Sequence, residues 1–236
     1  MKFDLKNAIL SYVDTKQGLI LPTEPSKELA EMIGILAGDG HVKYYPTSND
    51  YYIEVCGHAE DDIDYLNNVS LLFYRLFHLK MHFQIKHQIR TAYITRRSKG
   101  VYNFLRIIGY KKVRCIMDIP NWIWESEEFA KSFARGLFDT DGSIALKKNN
   151  YPVVSIVLKD GKTISKLAQK IRILGIPICV SPENTFDKRT GKYYKKTRLQ
   201  VSGRNNVGLW FKLIGSSNPK HNKKWGGRDI QGNTPI

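Results

Sequence analysis

The chain has 236 residues, enough for one large domain or two small ones with a core able to stand alone. Lys and Arg outnumber Asp and Glu 37 to 22, giving a formal charge of +15 and a pI near 9.6, which points to a polyanionic partner. There is no apolar run of about 18 residues and no basic amphipathic helix, so a membrane span is excluded and a membrane surface is disfavoured as that polyanion. The start, Met1-Lys2-Phe3-Asp4, lacks a signal-peptide core, so an intracellular location, cytoplasmic or organellar, is expected. Cys56, Cys115 and Cys179 are odd in number and scattered, as expected of reduced, mostly buried thiols rather than disulfides or a zinc site.

In chain order, residues 1–25 read as an N-terminal extension, with Ser26 as an N-cap and a helix to about Gly38. Strands follow at 41–45 and 51–56 around the turn-rich Pro46-Thr47-Ser48-Asn49-Asp50. Residues 61–78 are predicted helical, with Ile63, Leu66, Val69 and Phe73 on one face. Alternation predicts a strand over 83–90, continued in the next strand by Tyr93, Thr95 and Arg97. A helix over 99–108 stops at Gly109, and residues 110–125 link the halves. The order then recurs: a helix over 127–140, strands at 143–147 and 152–158, and a helix over 162–174. A hairpin at 178–181 and 193–201 with a long turn at 183–191 follows, then a helix over 205–214. A basic segment begins at Asn218-Pro219, and 226–236 is expected to be a flexible tail. The units are therefore 1–25, 26–109, 110–125, 126–225 and 226–236. Helices behind antiparallel strands indicate an α+β fold.

Two stretches organise this pattern: Ala30-Glu31-Met32-Ile33-Gly34-Ile35-Leu36-Ala37-Gly38-Asp39-Gly40 and Phe133-Ala134-Arg135-Gly136-Leu137-Phe138-Asp139-Thr140-Asp141-Gly142. Gly34 to Gly136 and Asp39 to Asp141 are both steps of 102 residues, so one unit is used twice. Gly34 and Gly38, like Gly136 and Thr140, lie one turn apart, a spacing that lets two helix backbones approach closely. Packed together, the two helices would bring Asp39 and Asp141 side by side at their negative C-terminal ends, which is costly unless a cation sits between them. Hard oxygen ligands of this kind suit Mg²⁺.

These residues resemble the two motifs of the LAGLIDADG homing endonucleases in their single-chain, two-motif form, over about residues 20–225. The resemblance implies two pseudo-symmetric ββ-α-ββ-α repeats, with antiparallel sheets forming a DNA-binding saddle around two packed central helices. It assigns metal binding to Asp39 and Asp141, and to the carbonyls of Gly38 and Thr140, with Mg²⁺ or another hard divalent cation such as Mn²⁺. It also implies a catalytic lysine after the fourth strand, a place held by Lys99. The second half departs here: Asn205 stands opposite Lys99, and Arg204 is the nearest replacement. The family often carries Gln at the end of the second strand of a repeat; this chain has Gly57 there and Lys159 in the second half, so Lys159 and Arg204 are the auxiliary candidates.

The polar faces of the sheets would offer Lys43, Tyr45, Gln84, Lys86, Gln88, Arg90, Thr95, Arg97, Lys147, Lys195, Arg198 and Gln200 to DNA, because such side chains suit base edges in the major groove. A register slip of one residue would substitute Lys196 for Lys195. The expected function is site-specific double-strand cleavage by a monomeric, intron-encoded enzyme leaving short 3′ overhangs. The alternatives are an RNA maturase that folds its host intron, or a DNA-binding regulator that does not cut.

Overall fold

The computed structural model describes residues 1–188 and 190–226, with Asp187 described by its backbone alone. Of the tail predicted at 226–236, Gly226 ends a helix and residues 227–236 lie outside the described residues. The N-terminal extension carries a short helix that the sequence did not signal, α1 (Tyr12–Lys16), closed by reciprocal bonds between Ser11 and Asp14. Burial acts to raise the Asp14 carboxyl, yet it also accepts from Ser98 Oγ at 2.6 Å, Ser11 Oγ at 2.7 Å, and the N–H groups of Ser11 and Gly100, both at 2.9 Å. Together these bonds hold it below the ordinary carboxylate range and pin the extension to the first repeat.

Ser26 accepts from Leu29 N at 3.0 Å and opens α2 (Lys27–Ala37), in which every residue from Leu29 onward is buried. There follow β1 (Gly40–Tyr45), β2 (Asp50–His58), α3 (Ile63–Phe77), β3 (His82–Lys86), β4 (Thr91–Arg97) and α4 (Lys99–Ile107). The sheet order is β1-β2-β4-β3, all antiparallel, and α3 and α4 cover the face carrying Ile53, Val55, Ala92 and Ile94. The connector is not plain linker: it holds a hairpin, β5 (Lys111–Val113) and β6 (Ile116–Asp118), and a turn of helix, α5 (Trp122–Glu125).

The second repeat comprises α6 (Glu127–Asp141), β7 (Gly142–Lys147), β8 (Tyr151–Leu158), α7 (Gly161–Ile173), β9 (Cys179–Asp187), β10 (Lys192–Ser202) and α8 (Arg204–Leu213), with the same sheet order, β7-β8-β10-β9. A last helix, α9 (Pro219–Gly226), closes the described chain.

Helices α2 and α6 cross at their glycines. A Cβ on Gly34 would fall against the Phe133 carbonyl oxygen and 2.9 Å from Leu137 N; one on Gly136 would fall against the Glu31 carbonyl oxygen and 2.9 Å from Ile35 N. The reciprocal pairing is the pseudo-twofold axis of the molecule. The segment 216–220 straps this pair from below. Ser217 N donates to Asp139 at 2.8 Å and Ser217 Oγ to Glu31 at 2.6 Å, while Lys220 Nζ reaches Asp62 at 2.7 Å.

Three expectations are corrected. The strand over 83–90 ends at Lys86; residues 87–89 form a tight helical turn and Arg90 adopts a left-handed φ of 50°, reversing the chain directly into β4. The long turn at 183–191 shrinks because β9 continues to Asp187, paired with β10 as far as Lys192. Cys115 and Cys179 are exposed and only Cys56 is partly covered.

Candidate metal and nucleic-acid site

Asp141 is the last residue of α6, whereas α2 stops at Ala37 and Asp39 follows the cap Gly38. The side chain of Thr140 packs directly on Gly38, and a Cβ there would also lie 3.4 Å from Asp141 Oδ2, so the two motif ends touch. Burial first, and then the Asp141 carboxylate, push the Asp39 carboxyl up to about 6, against the pull of Lys112. Solvent reaches the Asp141 side chain, yet it sits low enough among protein atoms that desolvation raises its pKa as well, opposed by Lys112 and Lys196. Adjacent carboxylates at the negative ends of two helices form a site short of positive charge.

Among the described residues no group of three or more His, Cys, Asp and Glu side chains is clustered to hold a metal by itself. The oxygens that meet at the two motif ends are those of two carboxylates and of the main chain. Such hard oxygens fit a divalent ion that completes its shell with water or phosphate, as Mg²⁺ does. Burial, then Asp39 and Glu54, push the nearby Cys56 thiol up to about 11.

One residue of the site was not foreseen. Lys112, on β5, sends its Nζ to the carbonyl oxygens of Leu36 at 3.4 Å and Gly40 at 3.1 Å, and makes a shorter bond to that of Gly38. Burial lowers its pKa, and Asp141 and Asp39 act to hold it up. Lys99 lies elsewhere, at the start of α4 with Nζ 5.7 Å from the centre of the Tyr51 ring; the cations acting most strongly on the acids are Lys112, Lys196 and Lys220. Arg204 is exposed at the start of α8, and Lys159 Nζ lies 4.1 Å over the Tyr194 ring.

Register defines the open faces. In the first sheet Lys43 pairs with Tyr52, Tyr52 with Arg97, Thr95 with His82, and Gln84 with Tyr93, so Lys43, Tyr45, Gln84, Lys86, Thr95 and Arg97 share the face away from the helices. Lys43 Nζ lies over Tyr45 at 4.6 Å, and Arg97 is held by Asp50 at 2.8 Å. Gln88 and Arg90 fall in the turn beyond β3, where Arg90 pairs with Glu60 at 3.0 Å. In the second sheet Leu199 and Val201 are buried, which turns Lys196, Arg198 and Gln200 to the open face with Lys147. Lys195 has the opposite parity, so Lys196 takes its place on that face. Arg198 is tied to Glu183 at 2.7 Å and to Ser155 at 3.2 Å.

Residues 128–215 match the family model of a LAGLIDADG-like domain, and residues 30–118 that of the WhiA LAGLIDADG-like domain. Two curated relatives come from Methanocaldococcus jannaschii. Uncharacterized protein MJ0314 is 29% identical over 175 residues, 71% of this chain and 62% of that protein. Uncharacterized protein MJ0398 is 25% identical over 124 residues, 52% of this chain and 42% of that protein. The matched stretches thus span less than two thirds of either relative. The crystal structure of I-DmoI in complex with DNA and Mn has a TM-score of 0.57 at 19% identity, covering 81% of this chain and 97% of that one. Full-length DUF199/WhiA from Thermatoga maritima has a TM-score of 0.55 at 14% identity, covering 90% and 63%. The chain carries two LAGLIDADG-like domains in the α+β fold, with antiparallel sheets, that these structures share.

Proposed function

We propose that the chain is a site-specific, metal-dependent endonuclease that hydrolyses one phosphodiester in each strand of a long DNA duplex, leaving short 3′ overhangs. The observation that carries this reading is the meeting of Asp39 and Asp141 at two helix ends locked together by Gly34 and Gly136, between two sheets with basic open faces. Asp39, Asp141 and the carbonyls of Gly38 and Thr140 would hold the ion. When bound, a divalent cation supplies an activated water and stabilises the leaving oxygen. The chain's own residues do the rest. Lys43, Lys86, Lys147 and Lys196 track the phosphates, and Gln84, Gln200 and Arg198 face base edges. One chain supplies both half-sites, so a monomer suffices, acting inside the cell.

A second reading has specific support. A DNA-binding protein of the same fold that does not cut would tolerate a lysine on the Gly38 carbonyl, and the first half matches the WhiA-type domain. The discriminating experiment incubates the chain with a library of duplex sites, with and without Mg²⁺, and sequences the new ends. Double-strand ends appearing only with Mg²⁺ are expected; sites that are bound and left intact in Mg²⁺ would favour the second reading.

A further inference from the structure

The ammonium of Lys112 has three N–H donors, and three carbonyl oxygens surround it: those of Leu36, Gly38 and Gly40. These flank Asp39 at the end of α2, where the last carbonyls lack helical partners and the dipole is negative. The arrangement is one-sided. Both helix ends have a backbone closure, Gly38 N to the Gly34 carbonyl in α2 and Gly142 N to the Phe138 carbonyl in α6, but the side chain on the α6 carbonyls is Thr140, whose Oγ1 donates to those of Gly136 and Leu137. The lysine comes from the β5–β6 hairpin, which Met117 N ties down by donating to Asp160 at 3.1 Å. Beside it opens a cleft of about 580 Å³ between the hairpin and β1, lined by Lys43, Tyr44, Tyr102, Arg106 and Lys111, with room for the side chain to withdraw.

Taking Asp39 and Asp141 as the metal site proposed above, we propose that Lys112 is its resident cation. A divalent ion reaches the Gly38 carbonyl only by displacing the Lys112 ammonium into the neighbouring cleft. An ammonium and a divalent ion cannot share one carbonyl oxygen at contact distance without strong repulsion. The first-repeat side of the site therefore binds divalent ions in competition with the chain itself, and the two motif ends are unequal. Lys112 acts here as a positioning residue that keeps the acid pair together without a metal.

The test is Mn²⁺ affinity of the full chain, from the electron-spin resonance signal of free Mn²⁺. Lys112→Met removes both charge and donor; Lys112→Gln keeps a donor for the α2 carbonyls and guards against misfolding. Both should bind Mn²⁺ roughly tenfold more tightly than the wild type, since a competing charge is gone. Lys196→Met, which removes a charge that acts on Asp141 only through space, should give a clearly smaller gain. Adding Asp39→Asn to Lys112→Gln should cancel the gain. Unchanged or weaker binding in both Lys112 variants, or an equal gain from Lys196→Met, would overturn the proposal. A measurement on the unmutated chain stands beside these: Mn²⁺ should speed acetylation of Lys112 several-fold relative to Lys111, and an unchanged ratio contradicts displacement. A chain that cuts DNA while its Mn²⁺ affinity ignores Lys112 keeps the nuclease reading and loses this one. Tighter Mn²⁺ binding with no DNA cleaved by any variant does the reverse.

Discussion

Replacing Gly136 with alanine sets two effects against each other. Alanine is favoured over glycine inside a helix by about 1 kcal/mol. Against that, the new Cβ would meet the Glu31 carbonyl oxygen at less than contact distance, Ile35 N at 2.9 Å and Glu31 C at 3.1 Å. All are backbone atoms of the facing helix, so no rotamer change relieves them and α2 must move away from α6. Overpacking costs about 1–3 kcal/mol and sometimes more; rigid backbone partners place this case at the upper end. The net loss is about 2 kcal/mol, and Gly34→Ala should match it because its contacts mirror those of Gly136. Gly208→Ala is the internal control: its Cβ would meet only Trp225 Cζ2, at 3.7 Å, so the helical gain of up to about 1 kcal/mol survives. At about 2–4 °C per kcal/mol for a chain of this size, Gly34→Ala and Gly136→Ala should lower the thermal midpoint by roughly 4–8 °C while Gly208→Ala raises it. Circular dichroism melts and urea titrations of the three variants provide the comparison. A Gly136→Ala protein as stable as the wild type would refute the close helix crossing, and with it the juxtaposition of the acids.

Other consequences follow from the same geometry. Lys86→Ala with Lys196→Ala should reduce the slope of log affinity for duplex DNA against log salt by about two units, near 0.9 for each lost phosphate contact, while Lys195→Ala leaves it unchanged. An equal effect from Lys195→Ala would mean the β10 register is misassigned. Asp14→Asn should cost about 1.5–3 kcal/mol at pH 7, since it weakens charge-assisted bonds to Ser11, Ser98 and Gly100. The folded-state pKa of Asp14 is depressed, so this stability is present above the unfolded carboxyl value and fades as pH falls through the lower folded one. The gap between variant and wild type should therefore narrow on acidification from pH 7 to pH 3, and urea midpoints at the two values check the sign. Lys220→Met should destabilise by about 1–2 kcal/mol by leaving Asp62 with fewer partners. A double-mutant cycle with Asp62→Asn that shows no coupling would remove the strap from the account.

Much of this was legible in the sequence because it is encoded locally. The 102-residue step between the motifs predicted the helix pair and the adjacency of Asp39 and Asp141, and a repeat needs no knowledge of distant contacts. The open-face set Lys43, Tyr45, Thr95 and Arg97 followed from strand alternation, because buried Ile53, Val55 and Ile94 pin the register. The same logic applied to Leu199 and Val201 would have chosen Lys196 over Lys195. The 83–90 strand failed for a different reason. Ile89 keeps the alternation going yet is 59% exposed, so its apolar side chain marks a turn packed on nothing rather than a core position. Lys112 left no local signal. Its partners are Leu36, Gly38 and Gly40, far away in sequence, and they are main-chain oxygens that carry no residue identity. Lys99 was placed by analogy of order, and the fold sets it over Tyr51.

The central claim is that two acids from two repeats act as one site. It is tested most directly by assaying Asp39→Asn and Asp141→Asn separately on a cleavable duplex in Mg²⁺, with binding measured in parallel. The account predicts that each variant binds the duplex about as well as the wild type and makes no double-strand break. Full cutting by either one would contradict it.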